Sequence, residues 1–234
     1  MTALILQARL DSSRLSGKSL LPLGGRPLIF RVMEAFAFIS DDTKTEAKID
    51  ARILACPEDD AASFAPLAEE AGFTLVSGPR DDVLARYCAA IRKSGAQRII
   101  RATGDNPFVF ADAALALNQE ALALDADYAG YSGLPYGAGV ESVAAEALLR
   151  AESEAAAQAE REHVCPYLYG HPELFRLHRP LAPLKWQAPQ QRVTVDTAED
   201  YGRAQALYAR LLALPREERS KGENIITVYK SLYE

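Results

Sequence analysis

The chain has 234 residues with a formal net charge of -6, and hydrophobic residues make up 49% of it. This composition is typical of an ordinary soluble globular protein, and the acidic balance argues against a broad electrostatic surface for nucleic acid. No stretch approaches the roughly 20 apolar residues of a membrane span, and the first residues lack the basic region of a signal peptide. The three cysteines show no metal-binding spacing and indicate reduced thiols, so we expect a cytoplasmic protein.

Short apolar runs alternate with amphipathic segments along the first half of the chain. The predicted strands are 3–8, 51–56, 73–77 and 97–103. The predicted helices are 27–38, 59–71 and 81–94, and the polar segment 40–50 is predicted to be a surface loop. Such alternation predicts an α/β fold with a mostly parallel sheet and helices on both faces.

The second half of the chain has weaker patterns. We predict a strand within 125–131, a turn-rich loop running into a strand over 134–145, and mostly helix over 145–170. Residues 171–190 are rich in proline and show no clear period, and 191–200 is predicted to be a strand leading into a helix that ends near Leu214. No linker or repeat interrupts the chain, so we expect one domain over 1–234, with 130–190 as a lid or a dimerisation insertion.

A basic loop follows the first predicted strand and closes on Gly17. Its basic residues are Arg9, Arg14 and Lys18, and its small hydroxyl side chains are Ser12 and Ser13. Ligands of open α/β sheets bind beyond the carboxyl ends of parallel strands, and arginine, lysine and backbone amides suit phosphate groups. The loop is not a P-loop, because Ser12 stands where that motif requires glycine. We interpret it as a triphosphate-binding loop; a solvated loop with incidental basic residues is the alternative.

Two aspartates follow predicted strands at the same edge as the basic loop. Asp105 comes after 97–103, and Asp196 comes after the apolar run RVTV. Mg²⁺ prefers one or two carboxylates together with phosphate oxygens and water. As alternatives, Asp196 suits a helix N-cap and Asp105 suits a turn. Their matching placement favours a metal site.

Six stretches, in order along almost the whole chain, carry a family resemblance. They are QARLDSSRLSGKSLLPLGGRPLIFRV (7–32), GPRDDVLARY (78–87), RATGDNPFV (101–109), GAGVESVAAEAL (137–148), REHVCPYLY (161–169) and RVTVDTAEDY (192–201). The chain resembles the spore coat polysaccharide biosynthesis protein F branch of the cytidylyltransferases, which are relatives of the enzymes that make CMP-ketodeoxyoctonate and CMP-sialic acid. It departs from the family pattern at Ser16, where proline is usual, and at Phe110-Ala111, where an Asp-Pro pair is usual.

The resemblance implies a Rossmann-like nucleotide-diphospho-sugar transferase fold and the reaction of CTP with a sugar acid to give a CMP-sugar and pyrophosphate. It implies that Arg9, Arg14 and Lys18 bind the triphosphate and that Asp105 and Asp196 hold Mg²⁺. By the same resemblance, Asp82 and Arg86 lie near the nucleotide, and Glu141 and His163 lie toward the acceptor. A homodimer is an expectation at the level of the family.

The chemistry of nucleotidyl transfer needs alignment and neutralisation of the leaving pyrophosphate more than covalent catalysis. We therefore predict Lys18 and Arg14 as the catalytic residues and assign no protein nucleophile, with Mg²⁺ lowering the pKa of the attacking hydroxyl. The aromatic candidates for a sugar pocket are Tyr131, Tyr136, Tyr167 and Trp186. Two other functions remain open: a nucleotidyltransferase that uses another nucleotide with a sugar phosphate, and a non-catalytic nucleotide-binding regulator.

Overall fold

The structure is a computed structural model that describes residues 1–12, 14–37 and 48–234. Ser13 of the basic loop and most of the predicted surface loop at 40–50 lie outside the described residues.

The described residues form strands and helices that alternate through most of the chain. The strands are β1 (Thr2–Gln7), β2 (Pro22–Leu23), β3 (Arg26–Pro27), β4 (Ala51–Pro57), β5 (Thr74–Gly78), β6 (Arg98–Thr103), β7 (Tyr128–Gly130), β8 (Glu141–Ala144) and β9 (Leu177–His178). The α-helices are α1 (Leu28–Ala37), α2 (Ala61–Glu70), α3 (Val83–Ser94), α4 (Ala111–Ala123), α5 (Ala145–Glu154), α6 (Gln158–His163), α7 (Pro166–Gly170), α8 (Ala198–Leu211) and α9 (Gly222–Tyr233).

Seven of these strands form one mixed sheet in the order β5-β4-β1-β6-β8-β7-β9. Strands β5, β4, β1 and β6 are parallel, whereas β8 is antiparallel to both β6 and β7. The carboxyl ends of the four parallel strands therefore share an edge with the amino end of β8. The predicted α/β class with a mostly parallel mixed sheet is confirmed.

Helices cover both faces of the sheet, as predicted. Along β1, Leu4 and Leu6 belong to a core shared with α1, α4, α8 and α9. Ala3 and Ile5 belong to a second core shared with α3, α5 and α7. Successive side chains of a strand point to opposite faces, so an uninterrupted apolar run is what a strand buried on both sides requires.

The predicted strand at 191–200 is wrong. This segment makes one isolated bridge, between Tyr136 and Arg192, before α8 begins. The backbone N–H of Val193 donates to the carbonyl of Tyr136 at 2.9 Å, and Val193 and Val195 are buried. The alternating valines that resembled a strand belong to an extended segment that packs against the loop at 134–140.

Helices α4 and α9 have no predicted counterpart. Apolar residues of α4, ADAALALNQEALA, occur on several sides of the helix, so no single apolar stripe marks it in the sequence.

Residues 130–190 supply β8 and β9 to the sheet. Their role as a lid or a dimerisation insertion stays a prediction. Among the described residues, no helix is long and apolar enough to cross a bilayer.

Candidate active site

The basic loop after β1 is held in a closed turn. Gly17 has a φ of 64°, in the left-handed region that glycine adopts at little cost, and its N–H donates to the carbonyl of Leu10 at 3.1 Å. The N–H of Leu10 donates to Asp60 Oδ2 at 3.0 Å, and Ser19 Oγ donates to the carbonyl of Arg9 at 3.0 Å. These bonds fix the backbone from which the basic side chains project.

Lys18 lies between the two predicted metal-binding aspartates. Its Nζ is 2.7 Å from Asp105 Oδ2 and 3.0 Å from Asp196 Oδ1, and it donates to the carbonyl of Val195 at 3.1 Å. The side chain of Lys18 is 11% exposed. The structure thus brings together three residues that are far apart in the sequence, and their roles stay a prediction.

Asp196 is paired with further cations. Arg14 Nη2 lies 3.0 Å from its Oδ1, and Arg192 Nη2 lies 2.9 Å from its Oδ2. The N-cap alternative does not apply, because α8 is capped by Thr197, whose Oγ1 accepts the N–H of Asp200 at 3.1 Å. The carboxylate of Asp196 is therefore left to face the basic groups.

Two glycines allow the backbones around these aspartates to approach closely. A Cβ on Gly104 would lie 2.4 Å from Ile29 Cδ1 and 2.9 Å from the carbonyl oxygen of Gln7. A Cβ on Gly137, which has a φ of 98°, would lie 2.4 Å from Thr194 Cγ2. A side chain at either position would push Asp105 or the segment before Asp196 away from the site.

Two neighbouring cavities lie at this edge of the sheet. The loop cavity, of about 190 Å³, is lined by the basic loop with Arg9, Arg14 and Lys18. The wide cavity, of about 630 Å³, extends over β7, β8 and the loop at 131–140. The residues that line both are Gln7, Arg14, Thr103, Asp105, His163 and Asp196. A reaction between two bound molecules would take place at this shared wall.

Arg86 forms part of the floor of the loop cavity. It is only 1% exposed, and its guanidinium donates to the carbonyls of Pro79 and Arg80. Burial lowers the pKa of Arg86 below its ordinary value. The structure therefore shows Arg86 holding the loop after β5 beneath the cavity.

Asp82 does not line the loop cavity as Arg86 does. Its carboxylate caps α3 by accepting the N–H of Ala85 at 2.9 Å, and it lies 2.6 Å from Arg161 Nη2. Asp82 thus joins α3 to α6 behind the cavity, and its predicted place near the nucleotide stays a prediction.

Glu141 and His163 face the wide cavity, and their place on the acceptor side stays a prediction. Glu141 begins β8, accepts the hydroxyl of Tyr128 at 2.8 Å and pairs with Arg101. Burial by itself would lower the pKa of Arg101, but the adjacent Glu141 carboxylate raises it above its ordinary value. His163 is exposed at the carboxyl end of α6, so it is not a packed core histidine.

Arg80 and Arg179 are among the basic residues at this edge that the sequence did not predict. Arg80 lies 3.0 Å from Asp11 Oδ2 and also pairs with Asp59 and Asp60, so it joins the loops after β1, β4 and β5. Arg80 lies within GPRDDVLARY (78–87), one of the six stretches that carry the family resemblance, so the sequence held a signal for this residue. Arg179 lines the wide cavity above the ring of Tyr169, and no motif marks it.

The aromatic candidates divide into two pairs. Tyr131 and Tyr136 line the wide cavity. Tyr167 and Trp186 are buried in the core, where Trp186 Nε1 donates to Asp112 Oδ2 at 3.0 Å. Sequence alone could not separate the pairs, because burial depends on the tertiary packing.

Within the described ranges, no group of three or more His, Cys, Asp or Glu side chains is placed to hold a metal ion. Asp105 and Asp196 offer hard oxygen donors, and the ion pair described for Asp105 uses only its Oδ2. These residues fit a cation that takes one or two carboxylates and completes its shell with phosphate oxygens and water.

A larger cavity, of about 1050 Å³, lies at the amino edge of the sheet beside Met1, Thr2 and Arg98, away from this chemistry.

The chain is similar to known proteins along most of its length. Residues 3–226 match the cytidylyltransferase family. The spore coat polysaccharide biosynthesis protein SpsF of Bacillus subtilis is 34% identical over 87% of this chain and 85% of its own length. A cytidylyltransferase structure from Leptospira borgpetersenii aligns with a TM-score of 0.86 at 22% identity, covering 99% of this chain and 94% of that one. The structure of CMP:2-keto-3-deoxy-manno-octonic acid synthetase with CTP aligns with a TM-score of 0.66 at 16% identity, covering 89% and 98%.

The resemblance seen in the sequence is therefore confirmed, and so is the nucleotide-diphospho-sugar transferase fold. The chain belongs to the cytidylyltransferase family and is a nucleotidyltransferase.

Proposed function

We propose that the protein transfers a cytidylyl group from CTP to a sugar acid, releasing pyrophosphate in a reaction that depends on Mg²⁺. The observation that carries this proposal is the shared wall of the two cavities. One cavity is lined by the basic loop and the other is wide enough for a sugar, and Asp105, Asp196 and Arg14 line both.

On the nucleotide side, Arg9, Arg14 and Lys18 bind the triphosphate in the loop cavity. Lys18 and Arg14 neutralise the charge that grows on the departing pyrophosphate, which is where fixed cations accelerate the reaction most. Arg86 supports the floor of the cavity beneath the nucleotide. The acceptor hydroxyl attacks the α-phosphorus and releases its proton to solvent, and the bond from that phosphorus to the pyrophosphate oxygen breaks.

Asp105 and Asp196 are the residues that would hold Mg²⁺. When bound, the metal supplies Lewis-acid stabilisation of phosphate charge and lowers the pKa of the attacking hydroxyl. Both residues line the two cavities, and Asp105 is the better placed because its side chain is 35% exposed, against 13% for Asp196.

On the acceptor side, the wide cavity suits an anionic sugar. Arg101 is neutralised by Glu141 and Arg14 by Asp196, but no carboxylate partner is found for Arg179 among the described residues. A carboxylate on the sugar would pair with Arg179, while Glu141 and His163 bind hydroxyls. We place the acceptor pocket in the segment 130–190, and a homodimer stays part of this proposal.

Pyrophosphate release tests the proposal directly. CTP, UTP, GTP and ATP should be assayed with Mg²⁺ against a panel of ulosonic acids and, in parallel, sugar phosphates, because Arg179 suits either anion. We expect turnover with CTP and a sugar acid, and its loss in Asp105→Asn. Turnover with another nucleotide and a sugar phosphate would contradict the proposed specificity, and CTP binding without turnover on any acceptor would favour a regulator.

A further inference from the structure

We propose that Lys18 closes the Asp105–Asp196 pair to divalent cations until a nucleotide binds. This inference rests on the proposed function, since it takes the two aspartates as metal ligands. It concerns the order in which the protein assembles its site, which the family relationship does not specify.

The contacts of Lys18 carry the first step of the argument. Its Nζ bridges Asp105 Oδ2 at 2.7 Å and Asp196 Oδ1 at 3.0 Å, and it donates to the carbonyl of Val195 at 3.1 Å. An ammonium group in this position takes the place between the carboxylates that a bridging cation would need. The side chains of Lys18 and Asp196 are 11% and 13% exposed, so water screens this ion pair only weakly. Water screens the pair with Asp105, which is 35% exposed, more strongly.

The local charge gives the second step. Asp196 also pairs with Arg14 and Arg192, at 3.0 Å and 2.9 Å. Three cations therefore contact the two carboxylates, and Arg192 Nε also lies 3.8 Å from Asp200 Oδ1. The cations around the pair repel a divalent cation and attract a triphosphate. A bound triphosphate brings negative charge that outweighs these cations, so the cluster then attracts the metal.

Lys18 is able to move between these two sets of partners. Lysine carries a compact charge on a flexible four-carbon stem, and triphosphate oxygens accept its three donors as well as carboxylates do. Arg192 uses Oδ2 of Asp196, so the departure of Lys18 and Arg14 toward the phosphates leaves Oδ1 available. Nucleotide and metal should therefore strengthen each other's binding, and linkage makes that effect reciprocal.

Binding of Mn²⁺ tests the proposal without any turnover, and it is measured by the loss of the EPR signal of free Mn²⁺. The wild-type protein alone should bind Mn²⁺ weakly, and Lys18→Met should bind it at least tenfold more tightly. Arg14→Gln, at a position 62% exposed where the fold is not at risk, should give a smaller increase. Lys221→Met is the matched control, because this lysine pairs with Glu218 at the start of α9, and it should match the wild type.

With CTP present, the wild-type solution should bind more Mn²⁺ than the same amount of CTP binds in protein-free solution. The substitution Asp105→Asn should abolish this excess. Equal Mn²⁺ binding by nucleotide-free wild type and Lys18→Met, whether tight or absent, would overturn the inference. Calorimetric titration with CTP separates this result from the proposed function. Failure to bind CTP would reject the proposed function, whereas the comparison of the two nucleotide-free proteins would still decide the role of Lys18.

Discussion

The loop cavity and the wide cavity share a wall but are built in different ways. The loop cavity takes three of its cations, Arg9, Arg14 and Lys18, from a short stretch after β1, and backbone hydrogen bonds within that stretch hold it in shape. The wide cavity combines the loop at 131–137 with residues from β6, β7, β8, the end of α6 and the segments after β9 and before α8. The phosphate side is therefore a local motif, whereas the acceptor side is a product of tertiary packing.

This difference predicts how the two sides respond to substitution. Loss of a cation in the loop cavity should impair the chemical step, because the pyrophosphate leaves there. Loss of a residue in the wide cavity should change stability or acceptor affinity while CTP binding persists.

The largest expected effect is on Lys18. Lys18→Met should lower kcat by about 10³-fold, the size of effect seen when one preorganised charge-stabilising donor is removed. The measurement is pyrophosphate release at saturating CTP, with Lys221→Met as the control at wild-type rate. A change confined to the KM for CTP would mean that Lys18 contributes only to binding.

Next in size is the buried ion pair under the wide cavity. Glu141→Leu should destabilise the protein by about 3 kcal/mol, because Arg101 keeps its charge with no partner in a largely buried site. Urea unfolding measures this loss. The double variant Arg101→Leu with Glu141→Leu should cost less than Glu141→Leu alone, and equal or greater destabilisation of the double variant would contradict this explanation.

A smaller effect is expected at Arg179. Arg179→Gln should raise the KM for an anionic acceptor by about tenfold, which corresponds to about 1.4 kcal/mol for a lost charged hydrogen bond. The KM for CTP should stay unchanged. Arg210→Gln, at an exposed position near the end of α8, is the matched control. An equal rise in both KM values would remove Arg179 from the acceptor side.

The smallest effect concerns Asp200, which supports the backbone of Asp196. Burial by itself would raise the pKa of Asp200, but Arg203 and the N–H groups of Asp196 and Thr197 lower it below its ordinary value. The ionised form therefore stabilises the fold at neutral pH, and this contribution is lost as pH falls through the lowered pKa.

Accordingly, Asp200→Asn should cost about 1 kcal/mol near pH 7, the usual scale for a capping residue. The difference from the wild type should shrink as the pH falls below 4. Urea unfolding of both proteins across this range checks the prediction, and a difference independent of pH would show that the charge of Asp200 does not matter.

Much of the first half of the fold was predictable. Strands β1, β4, β5 and β6 have apolar runs bounded by Gly, Pro or polar residues, and their predicted ranges lie within one or two residues of the observed ones. Asp196 shows the limit of such patterns. Its predicted place after a strand was wrong, because burial of Val193 and Val195 gives an extended segment the same periodicity as a strand. The structure nevertheless places Asp196 beside Lys18 of the basic loop.

The sequence by itself determined the α/β class, the basic loop and the family, because strand periodicity and a contiguous motif are local properties. The tertiary structure decided that Lys18 lies between Asp105 and Asp196 and that three cations surround Asp196. It also decided that Arg179 and Glu141 face one cavity while Trp186 is buried in the core. Those outcomes depend on burial and on distances between residues far apart in the chain, which no local pattern encodes.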